Sequence, residues 1–233
     1  MLNLDTIAKA KMQSEPYCWT FLENLLPLKQ SLELANSYPQ EQDGFTQPGA
    51  VLVRPIVSQL EEVKDPPKLN NIWQQLVDEL RTNAYRAALG ELTGLNLMDD
   101  LMYIYFFRYE TGNFAAPHLD APSIRIVQML YFNQEWDSNW GGCYRILKNH
   151  HAKSVFQEIS PRLNTSLISV TSDSSWHCVT PVTLEAKQSR QALKVAFINR
   201  EDYYFYDSLY ARRNKFSQLK QQRYPRCPLQ LFK

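Results

Sequence analysis

Hydrophobic residues are spaced differently in the two halves of this chain. Residues 1–99 favour helical spacing, which is interrupted by a loop rich in proline, glutamine and glycine at 37–49 and by a predicted strand, AVLVRPI, at 50–56. From residue 100 onward the pattern changes to short β-rich runs, and helical spacing returns only around 207–223. The chain is therefore predicted to place helices first and a β-rich core second.

The clearest predicted helix runs from Leu69 to Leu89. Apolar residues recur there along one helix face: Ile72, Trp73, Leu76, Val77 and Leu80. Asn70 or Asn71 is a candidate N-cap, and Gly90 is a candidate end of the helix. A further helix is predicted near the N-terminus, where similar spacing links Trp19, Leu22, Leu25, Leu26 and Leu32.

The second half is a series of short β-rich runs, which are separated by turn residues. These runs are MYIYFFRY, IRIVQMLYFN, CYRIL, TSLISVTS and ALKVAFIN. No helical stretch lies between them, which favours an antiparallel sandwich or jelly roll over a parallel sheet. The predicted fold class is α+β, with a double-stranded β-helix (a jelly-roll or cupin-like core) and the N-terminal helices packed on one face.

The length of 233 residues favours a single domain. Within residues 1–233, the segment 1–99 is expected to be a mainly helical scaffold. Residues 100–200 are expected to form the jelly-roll core, and residues 201–233 a C-terminal extension.

Charge and cysteine content exclude several classes of protein. Lysine plus arginine number 25 and aspartate plus glutamate 24, so there is no electrostatic case for binding nucleic acid or an anionic membrane. The four cysteines contain no C-x-x-C pair, which argues against a zinc knuckle or a thioredoxin-like site. The longest apolar run, LMYIYFF, is too short to cross a bilayer, and the N-terminus lacks the pattern of a signal peptide. A cytoplasmic protein without nucleic-acid or membrane partners is expected.

Candidate chemistry is concentrated in FAAPHLDAP, residues 114–122. In an extended strand residues i and i+2 point to the same side, so His118 and Asp120 can aim at one point. One imidazole and one carboxylate are two of the three protein ligands of a non-haem Fe(II) oxygenase site, which needs a second histidine. Because H-x-D also occurs in ordinary turns, the choice of the third ligand decides the assignment.

Three other histidines are available for that third place. His150 and His151 lie in KNHHAK, a polar turn for which a solvated loop is the expected role. His177 lies in SSWHCVTPV, where a strand is predicted to begin, and Arg190 leads a further predicted strand 13 residues later. A histidine beside tryptophan is commonly a packed structural residue, but the arginine that follows makes His177 the preferred ligand.

The ordered set of H-x-D, a histidine 57 residues after the aspartate and an arginine 13 residues further on resembles the 2-oxoglutarate and Fe(II)-dependent dioxygenases. Their prolyl-hydroxylase-like branch is the nearer likeness, through RYETGNFAAPHLD, LYFNQEWDSNWGGCYRIL and WHCVTPV followed by SRQALKVAFI. The resemblance covers about residues 100–200. Residues 1–99 and 201–233 carry none of these motifs.

The resemblance implies a role for each matching residue. His118, Asp120 and His177 would hold Fe(II), and Arg190 would bind the distal carboxylate of the cosubstrate 2-oxoglutarate. A guanidinium suits that task because it pairs with a carboxylate through two hydrogen bonds and stays charged.

The sequence also gives expectations for several further residues. Tyr131 matches a position whose hydroxyl often binds the same distal carboxylate, and Tyr109 matches a tyrosine near the iron-bound end of the cosubstrate, but a packed core aromatic is the alternative for both. Trp176 is expected beside the ligand histidine. Arg125 is a candidate substrate contact whose side of the strand the sequence leaves open. Gly141 and Gly142 are expected to permit a tight turn or a close backbone approach.

The implied activity is hydroxylation of an unactivated C–H bond with release of succinate and CO2. The carboxylate at Asp120 favours hydroxylation over halogenation, while desaturation and cyclisation stay open. The many aromatic residues favour a small, partly apolar substrate in a closed pocket. A protein (prolyl) hydroxylase is the alternative. An inactive or zinc-binding cupin-like binding module is the alternative from another class, since histidine and carboxylate ligands serve both metals. The expected cofactors are Fe(II), 2-oxoglutarate and ascorbate, with O2 as the oxidant.

Overall fold

The computed structural model describes residues 1–40, 52–59, 63 and 66–202. The predicted helix near 207–223 and most of the predicted loop 37–49 lie outside the described residues. The helices are α1 (Leu4–Ala8), α2 (Leu28–Asn36), α3 (Asn71–Leu80) and α4 (Asn83–Thr93), with a 3-10 turn at Ser138–Trp140. The strands are β1 (Trp19–Glu23), β2 (Leu52–Ser58), β3 (Leu101–Tyr109), β4 (Ala115–His118), β5 (Ile124–Tyr131), β6 (Tyr144–Leu147), β7 (Val155–Ile159), β8 (Thr165–Val170), β9 (His177–Val179) and β10 (Arg190–Ile198).

The strands form two antiparallel sheets. The larger has the order β1-β8-β5-β10-β3-β2 and the smaller the order β4-β9-β6-β7. One apolar core lies between the outer face of the large sheet and the helices, and a second joins residues of both sheets on the inner face. The predicted α+β fold class, with a jelly-roll core and helices on one face, is confirmed.

Strand β10 shows how the large sheet divides its two faces. Leu193 and Val195 belong to the core beneath the helices, where they join Trp73 of α3. Ala192 and Ala196 belong to the core between the sheets. Because side chains alternate along a strand, the even-numbered residues of β10 face the space that the two sheets enclose.

The helix predicted around Trp19 is wrong, because residues 19–23 form strand β1. Its residues pair with β8, with Thr20 opposite Ile168. Trp19 belongs to the core between the sheets and Leu22 to the core beneath the helices, so this segment alternates with the period of a strand. Strands β1 and β2 are the two edges of the large sheet, and residues 1–99 are therefore more than a helical scaffold.

The helix predicted for residues 69–89 is two helices. The side chain of Asn70 accepts a hydrogen bond from the Trp73 N–H at the start of α3, as an N-cap. Thr82 caps α4 in the same way and separates the two helices. Gly90 lies inside α4, so the predicted end was also wrong. The helix ends at Gly94, whose φ of 72° is left-handed, a conformation that glycine adopts with little cost.

No helix in the described part of the chain is both long enough and apolar enough to cross a bilayer.

Candidate metal centre and cosubstrate pocket

The pairing of β4 with β9 brings two distant histidines together. His118 lies directly opposite His177 in the register of these strands, and their ring centroids are 4.2 Å apart. Strand β4 ends at His118, so Asp120 reaches the same point from the turn that follows rather than from an extended strand. The Oδ2 atom of Asp120 is 3.7 Å from Nε2 of His177. One ligand atom from each of the three residues lies within 4.8 Å of the others, a spacing that could hold a metal ion.

Backbone carbonyls orient both imidazole rings. Nδ1 of His118 is 2.8 Å from the carbonyl oxygen of Ala116, and Nδ1 of His177 is 2.9 Å from that of Ser175. A carbonyl oxygen only accepts hydrogen bonds, so each Nδ1 donates and each Nε2 keeps its lone pair for a metal.

Burial and neighbouring charges set the protonation states of His177 and Asp120. Burial lowers the pKa of His177 to about 4, although Asp120 acts in the opposite direction. Burial by itself would raise the pKa of Asp120, but Lys194 and the two histidines outweigh it and hold that pKa well below its usual range. At neutral pH the site therefore offers a neutral imidazole from His177 and an ionised carboxylate, the forms that bind a metal.

Tyr144 of β6, rather than Trp176, packs beside the buried histidine. The Tyr144 ring stacks on the His177 ring with centroids 5.2 Å apart and 13° between the planes. The Trp176 ring instead lies 5.8 Å from the ring of His150, in the exposed turn after β6. Arg125, the candidate substrate contact, forms a salt bridge with Asp100, in which Nη1 of Arg125 is 3.0 Å from Oδ1 of Asp100.

Arg190 begins β10 and is fully buried. Its Nε donates to the carbonyl oxygen of Gly142 at 2.7 Å. Nη1 and Nη2 are buried without a hydrogen-bond partner among the described residues, and the same is true of the Tyr131 hydroxyl. The guanidinium carbon is 4.8 Å from the ring centroid of Tyr109 and 5.1 Å from that of Tyr131. An unpaired buried cation is very unfavourable, so this pocket is suited to an anionic group that accepts several hydrogen bonds.

The double glycine lets the backbone approach this pocket. Gly141 and Gly142 have φ values of 65° and 61°. A Cβ atom at Gly142 would lie 2.8 Å from a ring carbon of Trp136 and 3.3 Å from Cδ of Arg190, and one at Gly141 would lie 1.9 Å from the carbonyl oxygen of Pro181. Both positions therefore require glycine for space as well as for conformation.

Residues 104–197 match the family model described as the 2OG-Fe(II) oxygenase superfamily. The match covers the part of the chain that carries the three metal donors and Arg190. The protein is an enzyme that depends on 2-oxoglutarate and Fe(II), as the sequence resemblance predicted. The pocket of this oxygenase fits the cosubstrate, since the unpaired Nη atoms and the Tyr131 hydroxyl are three donors for one carboxylate.

Solved structures of similar fold include three oxygenases. A prolyl-4-hydroxylase from Pseudomonas putida has a TM-score of 0.56 at 19% identity, over 84% of this chain and 97% of that one. A prolyl hydroxylase from Trichoplax adhaerens, in complex with a hypoxia inducible factor peptide fragment, has a TM-score of 0.55 at 15% identity, over 87% and 91%. HygX from Streptomyces hygroscopicus, with nickel and 2-oxoglutarate bound, has a TM-score of 0.51 at 8% identity, over 78% and 83%. At these identities the likeness establishes the fold. No curated protein matches the chain in sequence.

Two residues of this oxygenase were missed in the sequence. The Nζ atom of Lys194 is 3.2 Å from Oδ1 of Asp120, and a lysine within the apolar run ALKVAFI was a usable signal. Tyr17 is fully buried in the core between the sheets, where it interacts with Tyr144, and no motif marks that residue. The Tyr109 ring lies against the Arg190 guanidinium, and the expected role of Tyr109 near the iron-bound end of the cosubstrate stays a prediction.

Proposed function

We propose that this oxygenase hydroxylates an unactivated C–H bond of a small molecule, an amino-acid derivative or another secondary metabolite. The observation that carries the proposal is the pairing of a His118–Asp120–His177 donor set with a buried, unpaired guanidinium at Arg190. Zinc hydrolysis has no use for a dicarboxylate clamp, and a binding module that had lost catalysis has no need to keep all three donors.

The protein's own residues form one metal site and one carboxylate site. His118, Asp120 and His177 would hold Fe(II) on one side and leave the other side open. Arg190 and the Tyr131 hydroxyl would bind the distal carboxylate of 2-oxoglutarate and so orient its keto acid end toward the metal. When bound, Fe(II) and 2-oxoglutarate supply the oxidation, in which O2 and 2-oxoglutarate yield succinate, CO2 and the hydroxyl group of the product.

Tyr109 would form a wall of the cosubstrate pocket at its arginine end, since its ring centroid is 4.8 Å from the guanidinium carbon. The role of Tyr109 near the iron-bound end, which the sequence resemblance implied, stays a prediction.

The substrate side favours a small molecule over a protein. The rings of Tyr103, Tyr105 and Phe107 follow one another along the inner face of β3 with centroids 4.8 Å apart. They offer an apolar surface a few rings long beside the metal donors, as small-molecule pockets do. We place the reaction in the cytoplasm, where 2-oxoglutarate is a metabolite. The use of ascorbate as a further cofactor stays a prediction.

The first experiment is an anaerobic titration. Fe(II) is added to the metal-free protein, 2-oxoglutarate follows, and the visible spectrum is recorded. A weak charge-transfer band that appears only with both ligands supports the assignment, and Arg190→Met should bind Fe(II) without giving the band at the same 2-oxoglutarate concentration. Iron binding without any band in the wild type contradicts the oxygenase function.

The second experiment separates the substrate classes. Succinate formation under O2 is compared between pools of small metabolites and pools of proline-containing peptides. Stimulation by a small-molecule pool alone supports the proposal. Stimulation by peptides alone would favour protein hydroxylation instead.

A further inference from the structure

Lys194 is a cation built into the wall of the metal site. It lies on the inner face of β10, four residues after Arg190, and its side chain is only 13% exposed. Its ammonium is 3.2 Å from Oδ1 of Asp120 and 5.8 Å from the ring centroids of Tyr105 and Phe107. Among the described residues, Asp120 is the one carboxylate that forms an ion pair with Lys194.

The loaded site holds one positive charge without a counterpart. The two charges of Fe(II) cancel those of 2-oxoglutarate, and Asp120 cancels Arg190, which leaves Lys194 over. Once Asp120 binds a metal it shares its charge with that metal and becomes a weaker partner for the ammonium. An excess cation in a water-poor site is costly, so a ligand with one negative charge would stabilise the site.

The surface beside Lys194 indicates the rest of such a ligand. Tyr105 lies opposite Lys194 in the β3–β10 register, and its ring is flanked by those of Tyr103 and Phe107. All three aromatic residues keep part of their surface exposed. Ring faces attract a cation weakly but carry no charge that would neutralise it.

We propose that the substrate of this oxygenase carries a carboxylate that pairs with Lys194 while its apolar or aromatic body lies on Tyr103, Tyr105 and Phe107. This inference rests on the proposed function, because the charge count assumes Fe(II) and 2-oxoglutarate in the site. The substrate class is thereby narrowed to apolar or aromatic monocarboxylates.

The test is a binding measurement that does not need turnover. The protein is loaded with Mn(II) and 2-oxoglutarate, which do not react with O2, and is titrated calorimetrically with 3-phenylpropionate and with its uncharged amide, 3-phenylpropanamide. We expect the acid to bind about tenfold more tightly than the amide, since a charged hydrogen bond contributes that much. Lys194→Met should remove the preference and Lys194→Arg should keep it.

Three results overturn the inference: the acid does not bind, the acid and amide bind equally, or the preference survives Lys194→Met. Binding of Mn(II) and 2-oxoglutarate is measured first in the same instrument. Failure at that stage would count against the proposed function itself, whereas failure only with 3-phenylpropionate counts against the substrate class. Retained Mn(II) and 2-oxoglutarate binding by Lys194→Met also shows that the variant folds.

Discussion

The two carboxylate oxygens of Asp120 have different partners. Oδ1 accepts a hydrogen bond from the Lys194 ammonium at 3.2 Å, and Oδ2 lies 3.7 Å from Nε2 of His177. The ion pair therefore holds one oxygen and presents the other to the imidazole donors. This arrangement favours a carboxylate that binds the metal through a single oxygen.

The first prediction follows from this ion pair. Asp120→Asn should destabilise the metal-free protein by about 3 kcal/mol, because it leaves the buried Lys194 ammonium without its counter-charge. The double variant Asp120→Asn with Lys194→Met should recover most of that stability but should not recover metal binding. Urea unfolding of the metal-free proteins measures the first effect and Mn(II) calorimetry the second. Equal stability of the single and double variants would contradict the pairing.

The second prediction concerns pH. Burial lowers the pKa of His177 from 6.5 to about 4, so the unfolded chain takes up a proton there before the folded protein does. Stability of the metal-free protein should therefore be level above about pH 6.5 and fall as the pH drops toward 4. Denaturant midpoints across this range measure the effect. His177→Gln should lose much of the slope, and an unchanged slope would show that another group is responsible.

The third prediction separates binding from stability at Arg190. Arg190→Met should weaken 2-oxoglutarate binding by about 100-fold, as expected when two charged hydrogen bonds are lost. The metal-free variant should be no less stable than the wild type, because it no longer buries a cation whose Nη atoms are unpaired. Calorimetric titration and urea unfolding are the measurements. A large loss of stability would mean that Arg190 is a structural residue.

The fourth prediction concerns which histidines bind the metal. His118→Ala and His177→Ala should each abolish Mn(II) binding in the micromolar range. His150→Ala and His151→Ala, which alter the exposed turn after β6, should leave it unchanged. Calorimetry on all four variants tests the assignment. Loss of metal in either control would place a ligand outside the predicted set.

The fifth prediction compares two glycines of positive φ. Gly112 has φ 81° and open space where a Cβ atom would lie, whereas a Cβ atom at Gly141 would lie 1.9 Å from the Pro181 carbonyl oxygen. Gly112→Ala should cost about 1 kcal/mol of stability through backbone conformation alone. Gly141→Ala should cost at least about 3 kcal/mol, since a backbone segment has to move. Similar costs for both variants in urea unfolding would show that the loop after the 3-10 turn adapts.

Many features of this oxygenase could be predicted from the sequence because they depend on residue type and local period. The strands after residue 100 are short runs that alternate apolar and polar residues or are rich in β-forming residues. The apolar face of helix α3 is visible within its ten residues. The candidate ligands His118 and Asp120 are two positions apart, and Arg190 follows His177 at a fixed interval. The family match over residues 104–197 covers the same part of the chain as those motifs.

The tertiary structure decided which distant residues meet. The register that sets His118 opposite His177 joins strands about sixty residues apart, and the pairing of β1 with β8 makes a strand of a segment with apparent helical spacing. Lys194 becomes part of the metal site only when the fold brings Asp120 beside it. Local sequence encodes period and chemistry, whereas strand partners and buried unpaired groups depend on how the whole chain packs, which no short window of residues contains.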